Sequence, residues 1–237
     1  MIRLSARMEA VAALCEKGSC GADVGCDHAY VSIYLLQHDV FERMLAMDLR
    51  EGPLKAAREN IEREGLKEKI ECRLSDGLSA MEAGEADSVI CAGMGGELMV
   101  RILTDGIEKM KAAKQLILQP QSEVAGVRRF LKRNAYAITA EDMVFEDGKY
   151  YPMFRAVPAG EDKTEDDMLY LEYGRQTLEG RHPVLKRFLE HRITTETSVR
   201  EQLEAAAKDG SEKALKRLEE KDAELKMLTE ALSYYKP

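Results

Sequence analysis

The chain reads as an α/β protein, a Rossmann-like, mostly parallel doubly wound sheet with an antiparallel last strand, followed by a small all-α coiled-coil domain. Three observations carry this reading. Short β-prone runs alternate with amphipathic helical segments through the first part of the chain. Four of those runs end in acidic or glycine-rich turns. Beyond Pro158-Ala159-Gly160 the β pattern stops, and Leu218, Leu225 and Leu232 recur at heptad steps. The expected domains are therefore 1–158 and 159–237.

Composition narrows the class. Of 237 residues, 45% are hydrophobic and 33% charged, enough for a sizeable core under a helical surface. The net charge of -8 excludes a global basic field, so a nucleic-acid partner would need a local patch. The five cysteines, Cys15, Cys20, Cys26, Cys72 and Cys91, are odd in number and lack metal-ligand spacing. They are expected to be reduced and mostly buried, with no metal site. The first residues have no signal-peptide core and no run is long enough to span a membrane, so a cytoplasmic protein is expected.

The elements follow in order. Ser5 is the expected N-cap of a first helix whose face carries Met8, Val11, Ala12 and Leu14, with Gly18 just past its end. Arg3 and Arg7 precede the stretch around which the chain is organised, Gly21-Ala22-Asp23-Val24-Gly25-Cys26-Asp27-His28-Ala29-Tyr30. Its Asp-x-Gly-x-Asp core has the shape of the first strand-to-helix turn of a nucleotide-binding domain, but the third glycine of a dinucleotide fingerprint is missing. Phosphate cradling is thus the wrong expectation. An acid at a strand end suits a cofactor bearing a cation, such as the amino-acid part of S-adenosylmethionine (SAM).

A helix over Val31, Ile33, Tyr34, Leu35 and Leu36 comes next, then a buried strand, Met44-Leu45-Ala46-Met47-Asp48. Asp48 stands at about the spacing, roughly 20 residues, of an acid that accepts from both ribose hydroxyls. Pro53 opens a third helix, where its missing N–H costs nothing. Ile70-Glu71-Cys72-Arg73-Leu74 is a third strand ending at Ser75-Asp76-Gly77. Asp76 either accepts from an adenine amino group or only caps the turn.

The fourth strand, 86–92, runs into Gly93-Met94-Gly95-Gly96, whose glycines let a ligand approach the backbone ahead of a helix N-terminus. A fifth strand ends at Leu118-Gln119-Pro120, and the helix after it, 124–134, is basic at Arg128, Arg129, Lys132 and Arg133. Segments 136–145 and 150–157 flank an Asp147-Gly148 turn and read as a β-hairpin. Five β/α units followed by an antiparallel hairpin is the order of the methyltransferase version of the doubly wound sheet.

In the remainder, Thr164-Glu165-Asp166-Asp167 is the expected start of a helix that stops at Gly180. Pro183 starts a long helix with Leu185, Leu189, Val199, Leu203 and Ala206 as a seam that Arg192 and Glu196 interrupt. Asp209-Gly210-Ser211 makes a turn into a last helix, where Leu215 and Leu228 join the heptad leucines. Such a seam can pair within one chain or between two, giving a monomer or a homodimer through the arm. Arg181, His182, Lys186, Arg187, His191 and Arg192 gather positive charge. They form either a solvated face or a phosphate-contacting patch.

With these residues in view, the chain resembles a bacterial tRNA methyltransferase family that makes N1-methyladenine at position 22 of tRNA. The resemblance rests on Leu4-Ser5-x-Arg7, Ala22 to Tyr30 including Asp27-His28-Ala29, Gly52-Pro53, Arg73-Leu74-Ser75-Asp76-Gly77-Leu78, Gly93-Met94-Gly95-Gly96 and Leu118-Gln119-Pro120. In that family a coiled-coil domain follows the class I methyltransferase domain. Gln121 and Asp48 stand where the family often has asparagine and glutamate, both changes keeping the chemical type.

The resemblance implies SAM as methyl donor, tRNA as partner and an adenine ring nitrogen as acceptor. The chain lacks the Asn/Asp-Pro-Pro-aromatic tetrapeptide that commonly holds an exocyclic amine, which agrees with ring-nitrogen chemistry. Asp23, Gly25, Asp27, His28, Asp48, Asp76, Gly77, Gly93, Met94 and Gly95 are the expected cofactor residues, with Asp27 and His28 beside the methyl transfer. His28 either takes part in catalysis or makes a structural hydrogen bond in the turn. Arg7, Tyr30, Arg128, Arg129, Arg181, Lys186 and Arg187 are the expected tRNA contacts, and Tyr30 or Met94 would wall a slot for an unstacked base. Two other classes compete with this one. One is a methyltransferase for a small molecule or another RNA, its arm serving dimerisation. The other is a non-catalytic binding relic of the fold.

Overall fold

The computed structural model describes residues 2–208 and 211–236. The chain forms two compact units, Met1–Asp166 and Asp167–Pro237.

In the first unit, seven strands form one sheet in the order β3-β2-β1-β4-β5-β7-β6. They are β1 (Gly18–Val24), β2 (Phe41–Asp48), β3 (Ile70–Leu74), β4 (Ser88–Met94), β5 (Gln115–Pro120), β6 (Tyr136–Glu146) and β7 (Lys149–Pro158). The first five are parallel, while β7 runs antiparallel to both β5 and β6. Strand order reverses between β1 and β4, and in such sheets ligands bind outside the carboxyl ends of the strands at that point.

Period-two alternation builds the two faces. Ala22, Val24, Leu45, Met47, Val89, Cys91, Leu116 and Leu118 belong to one core with α4 (Gly96–Asp105) and α6 (Val124–Arg133). Their neighbours Met44, Ala46, Ile90 and Ile117 belong to the other, with α1 (Ala6–Ala13), α2 (Tyr30–Gln37) and α3 (Glu51–Arg63). Cys20, Cys26 and Cys91 are buried and Cys15 and Cys72 half-buried; all five are free thiols.

Several details differ from the sequence reading. Gly18 opens β1 instead of ending α1, whose cap Ser5 accepts from Met8 N–H as expected. β4 runs on through Met94, because a bulge at Gly93 lets the strand keep pairing with β5 up to Pro120. A short helix, α5 (Ile107–Ala112), follows α4 after Gly106, where a Cβ would lie 2.7 Å from Leu78. The hairpin turn has positive φ at both Asp147 (48°) and Gly148 (77°), the signature of the twist-compatible type I′ turn. The first unit also continues past Pro158-Ala159-Gly160, since Asp166 is tied to Arg129 and Lys132 of α6 at 3.0 and 3.2 Å.

The second unit is helical. Asp167 caps α7 (Met168–Tyr173) by accepting from Leu169 and Tyr170 N–H, and Gly174 with φ 86° turns the chain into α8 (Arg175–Glu179). One expected helix is therefore two. Then α9 (Pro183–Lys208) and α10 (Glu212–Ser233, capped by Ser211) pair antiparallel. Asp209 and Gly210 of the expected turn lie outside the described residues.

The α9 seam holds Leu185 and Leu189, both fully buried, but Ala206 is exposed. On α10 the buried positions are Ala214, Leu228 and Ala231, and Leu215 is 50% exposed, one position off the seam. At the interruption, Glu196 is buried and bonded to Lys221 Nζ (2.5 Å) and Arg192 Nη2 (2.9 Å). Arg192 and Lys221 also reach Glu224. Among the described residues no helix is long and apolar enough to cross a membrane.

Candidate functional site

The organising stretch folds as β1 followed by a turn of unusual backbone. Gly25, Asp27 and Ala29 all have positive φ (73°, 51° and 58°). For Asp27 and Ala29 this is an uncommon conformation that the surroundings must hold in place. They do so from β2 and α3. Gly25 and Cys26 N–H both donate to Met47 C=O, Asp27 N–H donates to Asp48 Oδ2 at 3.3 Å, and Asn60 Nδ2 donates to His28 C=O at 3.0 Å.

Asp23 lies at the base of this turn and is 5% exposed. Its Oδ2 accepts from Ser32 Oγ at 2.7 Å. Burial pushes its carboxyl up to about 6; the Ser32 hydrogen bonds oppose the rise, and the negative fields of Asp48 and Asp27 add to it. Asp48 is 8% exposed and accepts from Arg50 N–H at 2.9 Å as well as from Asp27 N–H. Among the described residues neither carboxylate forms an ion pair. Two buried acids held only by neutral donors leave these strand ends electrostatically prepared for a cation and a diol.

Asp27 and His28 point outward from the turn, 68% and 45% exposed in their side chains, with His28 Nε2 3.5 Å from Asp27 Oδ1. The His28 ring stacks on Tyr30 at 5.7 Å between centroids, and Tyr30 is itself 43% exposed. The His28 backbone carbonyl is thus tied to α3 through Asn60, while its ring stays accessible.

The glycine-rich element supplies the opposite wall. Gly93 has φ 79° and is exposed, and the Met94 methyl lies 3.3 Å from where a Gly25 Cβ would sit. Gly95 caps α4, and Gly96 packs so closely on the Ser122 carbonyl (2.4 Å to a Cβ) that no side chain fits. Gly77 is required by packing, its φ of 58° joined to a Cβ position 2.8 Å from Ile102. Asp76 is exposed and 3.5 Å from Arg101, with Leu49 and Leu74 exposed at the neighbouring strand ends.

The basic residues divide. Arg128 is a correction: it is 4% exposed, bonded through Nη2 and Nε to buried Glu141 (3.0 and 3.1 Å) and seated on Phe154, so it cannot meet a phosphate. The α6 periodicity that made it look like a surface cation does not reveal a partner arriving from β6. Arg129 is engaged with Asp166. Arg7 also turns inward, donating to Gln119 Oε1 at 2.8 Å and lying over the Tyr151 ring. In the second unit, Arg181, Lys186 and Arg187 are exposed at the start of α9, and the first turn of that helix carries no acid.

Ser32, Asn60 and Gln119 escaped the sequence reading. Their signal was a polar residue at a buried phase of an apolar helix or strand. Among the described residues no group of three or more His, Cys, Asp or Glu is placed to hold a metal ion. A cavity of about 620 Å³ between α3 and the amino halves of β2 and β3, lined by Arg43, Ile61, Lys69 and Cys72 among others, lies at the opposite end of the strands from these acids.

Comparisons with known proteins converge on one chemistry. Residues 4–154 match the family described as Methyltransferase domain. A tRNA (adenine(22)-N(1))-methyltransferase of Bacillus subtilis (strain 168) is 35% identical over 165 residues, 70% of this chain and 69% of the relative. The crystal structure of the B. subtilis m1A22 tRNA methyltransferase TrmK superposes with a TM-score of 0.86 at 29% identity, covering 98% of this chain and all of that one. A Streptococcus pneumoniae candidate tRNA (m1A22) methyltransferase, solved in complex with S-adenosyl-L-methionine, gives 0.81 at 30% identity, covering 97% of this chain and 100% of its own.

Proposed function

Because the chain belongs to the tRNA (adenine(22)-N(1))-methyltransferase family, we propose that its active site lies at the carboxyl ends of β1 and β4. The protein is a SAM-dependent tRNA methyltransferase acting on N1 of adenine 22. The observation that carries the site assignment is the pair of buried acids, Asp23 and Asp48, held by neutral donors beside open glycine turns.

These residues fit the cofactor. Asp48 faces its ribose hydroxyls, Asp23 supplies negative charge toward its amino-acid end, and Gly25, Gly93 and Gly95 let it approach the backbone. Asp76, Gly77 and exposed Leu49 and Leu74 form the adenine end. Bound there, the cofactor supplies an electrophilic methyl group. N1 of adenine carries a lone pair and needs no deprotonation, so the protein's task is alignment and charge. The ring turns cationic as the bond forms. Asp27, exposed and next to the turn, is the carboxylate that stabilises this charge, while His28 and Tyr30 give the base a stacking surface once it has left its helix.

In the second unit, Arg181, Lys186 and Arg187 contact tRNA phosphates. Cations at a helix start oppose the helix dipole, a cost that an anionic partner offsets. The arm's seam is closed within one chain, which supports a monomer, and a tRNA substrate supports a cytoplasmic location.

The test is incubation with labelled SAM and bacterial tRNA lacking the modification, followed by nucleoside mapping. Label at N1 of adenine 22 is expected, and Asp27→Ala should lower kcat by about 10² with SAM affinity kept. Label in a different nucleoside would overturn the substrate. An unchanged kcat in the variant would remove Asp27 from the chemistry.

A further inference from the structure

The bulge in β4 is held by a side chain of the neighbouring strand β5, backed by Arg7 of α1. Gly93 is the extra residue where β4 shifts register against β5, and its N–H leaves the strand ladder to donate to the side-chain Oε1 of Gln119 at 3.1 Å. That same oxygen accepts from Arg7 Nη1 at 2.8 Å. Gln119 is fully buried, and its Nε2 donates to Pro120 C=O, which fixes the orientation of the amide. Arg7 is itself anchored by the hairpin. Its backbone N–H donates to Glu146 Oε1 at 3.2 Å, its guanidinium lies 3.9 Å from Glu146 Oε2, and Tyr151 supports its face. On the other side of the bulge, Met94 C=O accepts from Gln121 N–H, and the Met94 methyl reaches the Gly25 turn.

We infer that Gln119 is a positioning residue for methyl transfer, acting through Gly93 and Met94, and that Arg7 is the clamp that holds it and makes no tRNA contact. A line of hydrogen bonds runs from Glu146 through Arg7 and Gln119 to Gly93, and Met94, the next residue, carries it to the space beside Gly25. One buried oxygen serving two donors is its narrowest point. Without that acceptor Gly93 N–H loses its hydrogen-bond partner, and the bulge relaxes toward regular pairing. Met94 then shifts against Gly25. A displacement of about 1 Å between reacting partners costs roughly a hundredfold in rate.

This inference rests on the methyltransferase reading, and its test separates the two. Wild type, Gln119→Met, Gln119→Glu and Arg7→Met are compared for kcat, tRNA KM, SAM affinity, thermal midpoint and the salt dependence of tRNA binding. Gln119→Met keeps the volume and loses the acceptor, and its kcat should fall about 10- to 100-fold with tRNA KM within twofold. Gln119→Glu restores the acceptor for Arg7 and Gly93 but loses the donor to Pro120 C=O, and should recover part of the rate, which a purely structural loss would not do. Arg7→Met should lower kcat less, with the slope of log affinity against log salt unchanged, whereas loss of one phosphate contact would reduce that slope by about 1.

A wild type that labels no tRNA would overturn the underlying function. An active wild type with an equally active Gln119→Met, a Glu variant that rescues nothing, or a reduced salt slope in Arg7→Met would overturn this inference alone. If Gln119→Met does not fold, the Glu and Arg7 variants decide it by the same readings.

Discussion

The molecule buries carboxylates in two ways. In the first unit, Asp23 and Asp48 are held at the strand ends by Ser32 and by backbone N–H groups, with no ion pair to either among the described residues. In the second, Glu196 is equally buried but faces Lys221 and Arg192, with Glu224 closing the cluster. Both arrangements satisfy hydrogen bonding. Only the second satisfies charge. A buried acid neutralised by its own chain reports on packing, whereas one left negative reports on a partner yet to arrive.

The largest expected effect tests the uncompensated side. Asp23→Asn should weaken SAM binding by about a hundredfold or more, read by calorimetry, since a buried charge partner is lost. The same change should raise the stability of the cofactor-free protein at pH 8. Burial holds the Asp23 carboxyl at about 6, above its ordinary 3.8, so the folded state binds the proton more tightly. Stability therefore falls as pH rises from about 4 to about 6, and the ionised buried acid then costs on the order of 3 kcal/mol. Melts at pH 5 and pH 8 check this. A variant less stable than wild type at pH 8 would break the comparison.

Next in size is Arg128→Met. It strands Glu141 without its cation and should destabilise the first unit by about 3–5 kcal/mol in denaturant unfolding, with the salt dependence of tRNA binding unchanged. Smallest is Glu196→Gln, which keeps the shape and leaves Lys221 and Arg192 their contacts with Glu224. A loss of about 1–2 kcal/mol is expected, seen as faster amide exchange in α9 and α10. SAM affinity should not move; a drop there would mean the two kinds of buried acid are not independent.

Much of the fold was legible because its signals are local. Alternation sorted the strand residues onto two faces, and Asp147-Gly148 announced the hairpin. Of the candidate site, the turn acids were legible because strand ends and glycines mark them. What escaped depends on partners distant in sequence. Arg128 looked like a surface cation until Glu141 came from β6, and the partners of Arg7, Gln119 and Glu146, lie far along the chain from it. Leu215 fitted a heptad beside the real seam because a one-position shift is invisible when leucines are abundant. Gly174 broke an expected helix that carried no proline to announce the break.

The clasp between Arg7 and Glu146 joins residues 139 positions apart. It also sets an order of assembly. β7 must insert between β5 and β6, so the sheet closes only after the chain has gone out to its edge and doubled back. α1, which precedes the hairpin in the chain, thus waits for it before the Arg7 contacts to Glu146 can form. Such non-local closure slows folding, because chain entropy is lost before the contacts form. The contact between Arg7 and Gln119 is consequently backed by Glu146 only once the hairpin has formed.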